Sequence, residues 1–155
     1  MRILFVCMGN ICRSPTAEGV MLDLVRKAGL ADKITIDSAG TGSWHVGELP
    51  DHRARAAAAK RGLDLCSLGR QISQQDFDRF DLIVVMDDVN LRHVSVMAGH
   101  RTSPPIRLLR SFDPSAPPGA HVPDPYAGGA AGFEEVLDQC ERACAGLLAY
   151  AKDQL

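Results

Sequence analysis

The segment Asp81-Leu82-Ile83-Val84-Val85-Met86 constrains the fold more than any other part of the chain. Its apolar run is unbroken, so it leaves no face for water. It reads as a central strand covered on both sides, the usual situation in a parallel sheet. Parallel neighbours need crossover connections, and the rest of the chain supplies them. Ile3–Val6 is a short apolar strand. Ala17, Val20, Met21, Leu24, Val25 and Ala28 recur at helical spacing between Pro15 and Ala28, and Gly29 is the natural stop. Ile34–Asp37 reads as a second strand and Ala39-Gly40-Thr41-Gly42-Ser43 as a loop. Pro50 to Arg61 reads as a helix closed by Gly62, and Val89 to Ala98 as another. Ile106–Leu109 is a last short strand, and Phe133 to Ala151 a long closing helix. Alternating strands and helices predict an α/β fold: a parallel sheet with helices on both faces, three layers in one domain spanning residues 1–155.

Other functions are excluded by bulk properties. A formal charge of −2 offers no basic surface for nucleic acid. No apolar run approaches the roughly 18 residues of a membrane span. The start lacks the apolar region and cleavage site of a signal peptide, so a cytoplasmic location is expected. The 5 cysteines are an odd number and fit a reducing compartment better than a disulfide framework. Cys66, beside Leu63 and Leu65, reads as core filler. Cys140 and Cys144 share a helical face with Val136, Leu137 and Leu147 and read as core. His52, His93, His100 and His121 have no metal-ligand spacing and read as surface residues. No metal or cofactor is expected, and nothing demands more than a monomer.

Cys7 and Cys12 do not look like filler. They lie in Cys7-Met8-Gly9-Asn10-Ile11-Cys12-Arg13-Ser14-Pro15, directly between the first strand and the first helix. Cys7 alone among the cysteines has an Arg six positions on. Ligands of parallel sheets bind where strands end and connections leave. Gly9 and Asn10 tolerate the backbone angles of a tight loop, Ser14 is placed to cap the helix, and Pro15 suits its first turn. The loop amides and the positive helix end make a cradle for phosphate, and Arg13 offers a fork for two of its oxygens. Cys7 then faces the phosphorus, and the same groups favour its thiolate. Ser14 is positioned to donate a hydrogen bond to that thiolate. No Lys-Ser or Lys-Thr follows the glycine, so the loop is not the nucleotide-binding kind. The spacing of Cys7 and Cys12 also suggests an intraloop disulfide that protects Cys7 from irreversible oxidation.

The segment Val6 to Pro15 closely resembles the signature loop of the low-molecular-weight protein tyrosine phosphatases. The resemblance runs nearly end to end, through Asp37-Ser38-Ala39-Gly40-Thr41, Trp44-His45-Val46-Gly47, Met86-Asp87 with Asn90, and Asp124-Pro125-Tyr126. It implies a four-stranded parallel sheet flanked by helices, with the phosphate-binding loop after strand one. It also implies hydrolysis of phosphotyrosine and small aryl phosphates through a phosphocysteine. The partners it implies are a phosphotyrosine protein and a tyrosine kinase that opposes the enzyme.

Such chemistry needs an acid to protonate the leaving phenol. Asp113 to Ala131 is rich in Pro, Gly and Ala, without periodicity, and holds Asp113, Asp124 and Tyr126. A segment like this in a compact domain is more often functional than idle. The resemblance makes Asp124 the general acid, Tyr126 a cleft wall and Trp44 a rim residue facing the substrate ring. It makes Cys7 the nucleophile and Arg13 the phosphate clamp, with Met8, Gly9, Asn10, Ile11, Cys12 and Ser14 completing the loop. Ser38 and Asn10 match residues that brace the loop, while Asp87 and His45 read as local structure. The loop would supply the charge stabilisation that Mg²⁺ provides elsewhere.

Two positions depart from the family pattern. Ala127 follows Tyr126 where many members have a second aromatic residue, and Ser67 stands where some have a histidine. That histidine's contacts are therefore not expected here. Three alternative functions suit the same kind of loop. Arsenate reduction needs relay cysteines, and Asp81–Gly99 has none. Phosphoarginine hydrolysis goes with threonine in place of Ile11. A non-catalytic phosphate-binding module predicts loss of Cys7 or Asp124, and both are present.

Overall fold

The computed structural model describes residues 1–155. In chain order the elements are β1 (Arg2–Cys7), α1 (Arg13–Lys27), β2 (Thr35–Gly40), α2 (His52–Ala59), α3 (Asp76–Arg79) and β3 (Leu82–Val85). They continue with α4 (Asp88–Ala98), β4 (Ile106–Leu108), a 3-10 turn (Leu109–Phe112) and α5 (Ala130–Asp153). The four strands form one sheet in the order β2-β1-β3-β4. Every pair in it is parallel.

Side-chain alternation across β1 and β3 builds two cores. Ile3, Phe5, Leu82 and Val84 face a large cluster that includes Val20 and Met21 of α1 and Val136, Cys140 and Leu147 of α5. Leu4, Val6, Ile83 and Val85 face a smaller cluster with Phe77 and Val94. All eight strand residues are fully buried, which is why the sequence shows no polar face in either strand. Cys140 and Cys144 are fully buried as expected, but Cys66 is exposed rather than core filler.

Differences from the expected boundaries have local causes. β2 runs on through Gly40 because residues 70–72 pair with it: Gly40 N–H donates to Arg70 O, and Ile72 N–H to Gly40 O, both at 2.8 Å. Helix α1 begins at Arg13, two residues earlier than expected, with Cys12 at its N-cap and no side-chain cap. Ser14 therefore does not cap the helix; it lies within the first turn. The short α3 was not anticipated, since four residues carry no periodic signal. The sheet order reverses direction at β1, the chain passing first to β2 on one side and then to β3 on the other. The crevice at such a switch point is where an α/β sheet holds its ligand. Cys7 ends β1 on one side of it, and Asp87 follows β3 on the other.

Candidate active site

The loop from Cys7 to Arg13 wraps against the end of β2. Thr41 and Gly42 N–H groups donate to the Cys7 and Met8 carbonyls, each at 2.9 Å. A Cβ on Gly40 would lie 2.8 Å from Met8 O, so only glycine lets the two segments approach this closely. Asn10 is the one non-glycine residue with positive φ, at 56°. That left-handed turn reverses the loop and aims the Asn10 N–H back at Cys7 Sγ, 3.3 Å away.

Counting protons fixes the polarity of the network behind the loop. Asn10 Nδ2 donates to Ser14 Oγ at 2.8 Å and to Ser38 Oγ at 3.0 Å, while Asn10 Oδ1 accepts from the Arg70 N–H at 3.0 Å. Ser38 Oγ donates to Glu18 Oε1 at 2.7 Å. Ser14 therefore has its own hydroxyl proton free for Cys7 Sγ at 3.0 Å, the competing Ala39 carbonyl being farther at 3.4 Å. Ser67, which stands where some family members have a histidine, donates to the same Glu18 oxygen at 2.7 Å. Burial pushes the Glu18 carboxyl above the usual range, although the Ser38 and Ser67 hydroxyls pull the other way. Glu18 was missed in the sequence because a glutamate on a helix reads as surface; only the fold reveals that α1 turns it toward β2.

Arg13 is buried, at 3 % exposure. Its Nη1 donates to Asp87 Oδ2 at 2.6 Å and to the Val122 carbonyl at 3.1 Å, which leaves Nη2 for the cleft, 3.9 Å from Asp124 Oδ2. Asp87, expected to be local structure, does more than that. Its Oδ1 caps α4 by accepting the Asn90 N–H at 2.8 Å, and its Oδ2 fixes the arginine. Burial raises the Asp87 pKa, but the Arg13 and Asn90 bonds outweigh that and hold it below the ordinary carboxylate value.

These groups open onto a cleft of about 240 Å3 whose floor is Cys7, Met8, Gly9, Ile11, Cys12 and Arg13, with Trp44, His45, Asp124 and Tyr126 around its walls. Exposure grades from floor to rim: Cys7 is 2 % exposed, Tyr126 52 % and Trp44 71 %. Asn10 and Ser14 do not line the cleft. Their side chains lie behind the loop, where they brace Cys7. His45 is a wall residue rather than purely local structure, paired with Glu48 through Nδ1. Its segment is held by Gly47 N–H to Gly69 O and Gly69 N–H to Glu48 O, both 2.8 Å. Asp124 faces the cleft from the opposite side, with Oδ1 accepting the Tyr126 N–H at 3.1 Å.

The floor combines a thiol, an arginine and the backbone of the loop between them, and a carboxyl lines the same cleft beside aromatic rings. That arrangement suits an oxyanion carried on an aromatic group. No set of three or more His, Cys, Asp or Glu side chains is grouped to hold a metal ion. Residues 2–155 match the family model described as low molecular weight phosphotyrosine protein phosphatase. A low molecular weight protein-tyrosine-phosphatase of Streptomyces coelicolor is 47% identical over 99% of this chain and 95% of its own. A protein tyrosine phosphatase of Entamoeba histolytica, solved with Hepes in its active site, superposes with a TM-score of 0.94 at 38% identity, covering 99% of this chain and 98% of that one. A drosophila arginine phosphatase superposes at 0.88 with 39% identity over 98% of each chain.

Proposed function

The chain belongs to the low molecular weight phosphotyrosine protein phosphatase family, and we propose that it hydrolyses phosphotyrosine with Cys7 as nucleophile, Arg13 as phosphate clamp and Asp124 as general acid. It is a cysteine-dependent protein-tyrosine phosphatase, and phosphoproteins are its substrates. The observation that carries the residue roles is the Cys7 sulfur at the cleft floor, 3.0 Å from a serine hydroxyl whose proton has no closer acceptor, with Arg13 and Asp124 on the same cleft.

The reaction runs in two steps. The Cys7 thiolate attacks phosphorus while Arg13 Nη2 and the loop amides hold the equatorial oxygens. As the S–P bond forms, the P–O bond to the phenol breaks, and protonated Asp124 gives its proton to the departing oxygen. Asp124, now a carboxylate, takes a proton from water. The water oxygen bonds to phosphorus, the S–P bond breaks and inorganic phosphate leaves, with the thiolate and the Asp124 carboxyl restored. Ile11 and Tyr126 line the cleft, and this apolar lining favours an aryl ring over the charged guanidine of phosphoarginine. Cys140 and Cys144, fully buried on α5, are poorly placed to relay a disulfide as arsenate reduction requires.

The proposal includes a single-domain monomer acting in the cytoplasm against a tyrosine kinase. No helix is long and apolar enough to cross a membrane. The test is hydrolysis of an aryl phosphate in EDTA by wild type, Cys7→Ser and Asp124→Ala, with phosphoarginine as a parallel substrate. Loss of all turnover in Cys7→Ser and a fall of about 10²-fold or more in Asp124→Ala are expected. Turnover untouched by Cys7→Ser, or faster release from phosphoarginine than from phosphotyrosine, would contradict the proposal.

A further inference from the structure

Asp124 stands between two arginine anchors. Two residues before it, Val122 is fixed: its carbonyl accepts from Arg13 Nη1 at 3.1 Å, and its N–H donates to Met86 O at 2.8 Å. Two residues after it, the Tyr126 carbonyl accepts from Arg53 Nη2 at 3.0 Å, and Gly128 O accepts from Arg53 Nη1 at 3.3 Å. The remaining hydrogen bonds of residues 123–129 toward the acid are local, Tyr126 N–H to Asp124 Oδ1 and Gly128 N–H to Pro125 O. On its downstream side the acid segment is hydrogen-bonded to the molecule through Arg53.

Arg53 is itself anchored to the phosphate loop. Its backbone N–H and its Nε donate to Asp51 Oδ1 at 2.8 and 3.1 Å, and its Nη2 donates to Asp51 Oδ2 at 3.0 Å. The Asp51 side chain is only 8 % exposed, and the Asp51 N–H donates to Ile11 O at 2.8 Å. A continuous path thus runs from the loop that carries Cys7, through Asp51 and Arg53, to the residue two beyond the acid. The guanidinium plane also lies over the Phe133 ring at 4.6 Å and the Tyr126 ring at 5.5 Å, contacts that a cation favours. The Arg53 hydrogen bond, opposed by burial, holds the Asp51 carboxyl below its usual range, which keeps the pair charged.

Resting on the assignment of Asp124 as general acid, we propose that Arg53 is a positioning residue that locks the acid segment to the phosphate loop and so aims Asp124 at the leaving oxygen. Arginine is required by this geometry because one planar fork must serve a carboxylate and two carbonyls together; lysine offers a point charge. Arg53 does not touch the reacting atoms. Its removal weakens proton delivery and leaves phosphate capture in place.

The test reads kcat/KM on two aryl phosphates, 4-nitrophenyl phosphate, whose leaving group needs little protonation, and phenyl phosphate, whose leaving group needs it. Asp124→Ala is expected to lose far more on phenyl phosphate. Arg53→Ala is expected to lose about threefold on the nitrophenyl ester and roughly tenfold or more on the phenyl ester, with Arg53→Lys in between. In the Asp124→Ala background, Arg53→Ala should add no further leaving-group dependence, since it acts through the missing acid. Competitive inhibition by inorganic phosphate should persist in every Arg53 variant, reporting an intact phosphate loop. Equal losses on both esters, a loss of phosphate inhibition, or a leaving-group effect that survives in the Asp124→Ala background would each overturn the proposal. If Asp124→Ala shows no leaving-group dependence, the assignment of the acid is at fault and the positioning role falls with it. That outcome is read from Asp124→Ala alone, before any Arg53 variant.

Discussion

The phosphate loop and the acid segment face each other across one cleft, yet they are held by opposite means. Cys7, Asn10, Arg13 and Ser14 are all buried; Cys7, Asn10 and Ser14 bond to one another and onto β2, while Arg13 alone reaches across to Asp87 and Val122. Residues 113–129 form no strand or helix, and Asp124 and Tyr126 are exposed. The acid segment is steadied by two arginines reaching from distant parts of the chain, Arg13 and Arg53. The contrast matches the chemistry. A thiolate and its anion cradle must be set before substrate arrives, because reorganising dipoles during the reaction raises the barrier. An acid that protonates a phenol and then activates water must exchange protons with solvent, so it belongs at the rim.

The largest effect is expected where the two regions share an anchor. Arg13→Lys keeps the charge but loses the fork that binds Asp87, the Val122 carbonyl and the phosphate, so kcat/KM for an aryl phosphate should fall by roughly 10²–10³. A fall below tenfold would mean that the loops do not depend on that fork. Ser14→Ala confines damage to the phosphate loop by removing the hydroxyl donor to Cys7 Sγ. One hydrogen bond to a charged group is worth about 1.5–3 kcal/mol, so kcat/KM should drop at least about tenfold. Equal activity would show that Ser14 donates to the Ala39 carbonyl instead.

A smaller effect on turnover is expected at Cys12. Burial first, then Asp51 and Cys7, push its thiol up to about 12, so it is no rival nucleophile at neutral pH. Cys12→Ser should keep kcat/KM to within about threefold. If the proposed bridge forms, peroxide oxidises Cys7 to a sulfenic acid, and the Cys12 sulfur displaces water to close the disulfide. Wild type then recovers with added thiol and Cys12→Ser does not; equal recovery would remove the bridge from the account.

The smallest effect concerns Glu18, behind the loop. A carboxyl whose pKa is higher folded than unfolded holds more protons in the folded state between about 4.3 and its folded value. Its stabilising contribution is therefore complete below about pH 4.3 and is lost as pH rises through the raised value. Glu18→Gln keeps an oxygen to accept from Ser38 and Ser67 but does not titrate. The melting temperature of wild type should fall relative to the variant as pH rises across that window, and a constant difference would contradict a raised Glu18.

How much of this was readable in the sequence follows the same contrast. The phosphate loop is contiguous, so Cys7, Arg13, the left-handed Asn10 and the sheet around them could be read from short-range chemistry and unbroken apolar runs. Ser14 was legible as a donor to Cys7 but misleading as a cap, because both roles suit a serine at a helix start. Asp87, Glu18 and Arg53 were not legible as site residues. Each meets its partner across 20 to 74 positions of the chain and pairs only after the sheet has assembled. Asp124 needed the family resemblance, since an Asp-Pro in a loop is otherwise a common turn. Cys66 misled for a simpler reason: apolar neighbours in sequence do not guarantee burial when the segment has no regular structure.

The central claim is that phosphate passes through Cys7. Its most direct test is to quench wild type with acid during turnover of an aryl phosphate and to fragment the peptide between Arg2 and Arg13 by mass spectrometry. The account predicts one added phosphoryl group located on Cys7, absent in Cys7→Ser. A phosphoryl group on Cys12, or none on the peptide under conditions of measured burst turnover, would contradict it.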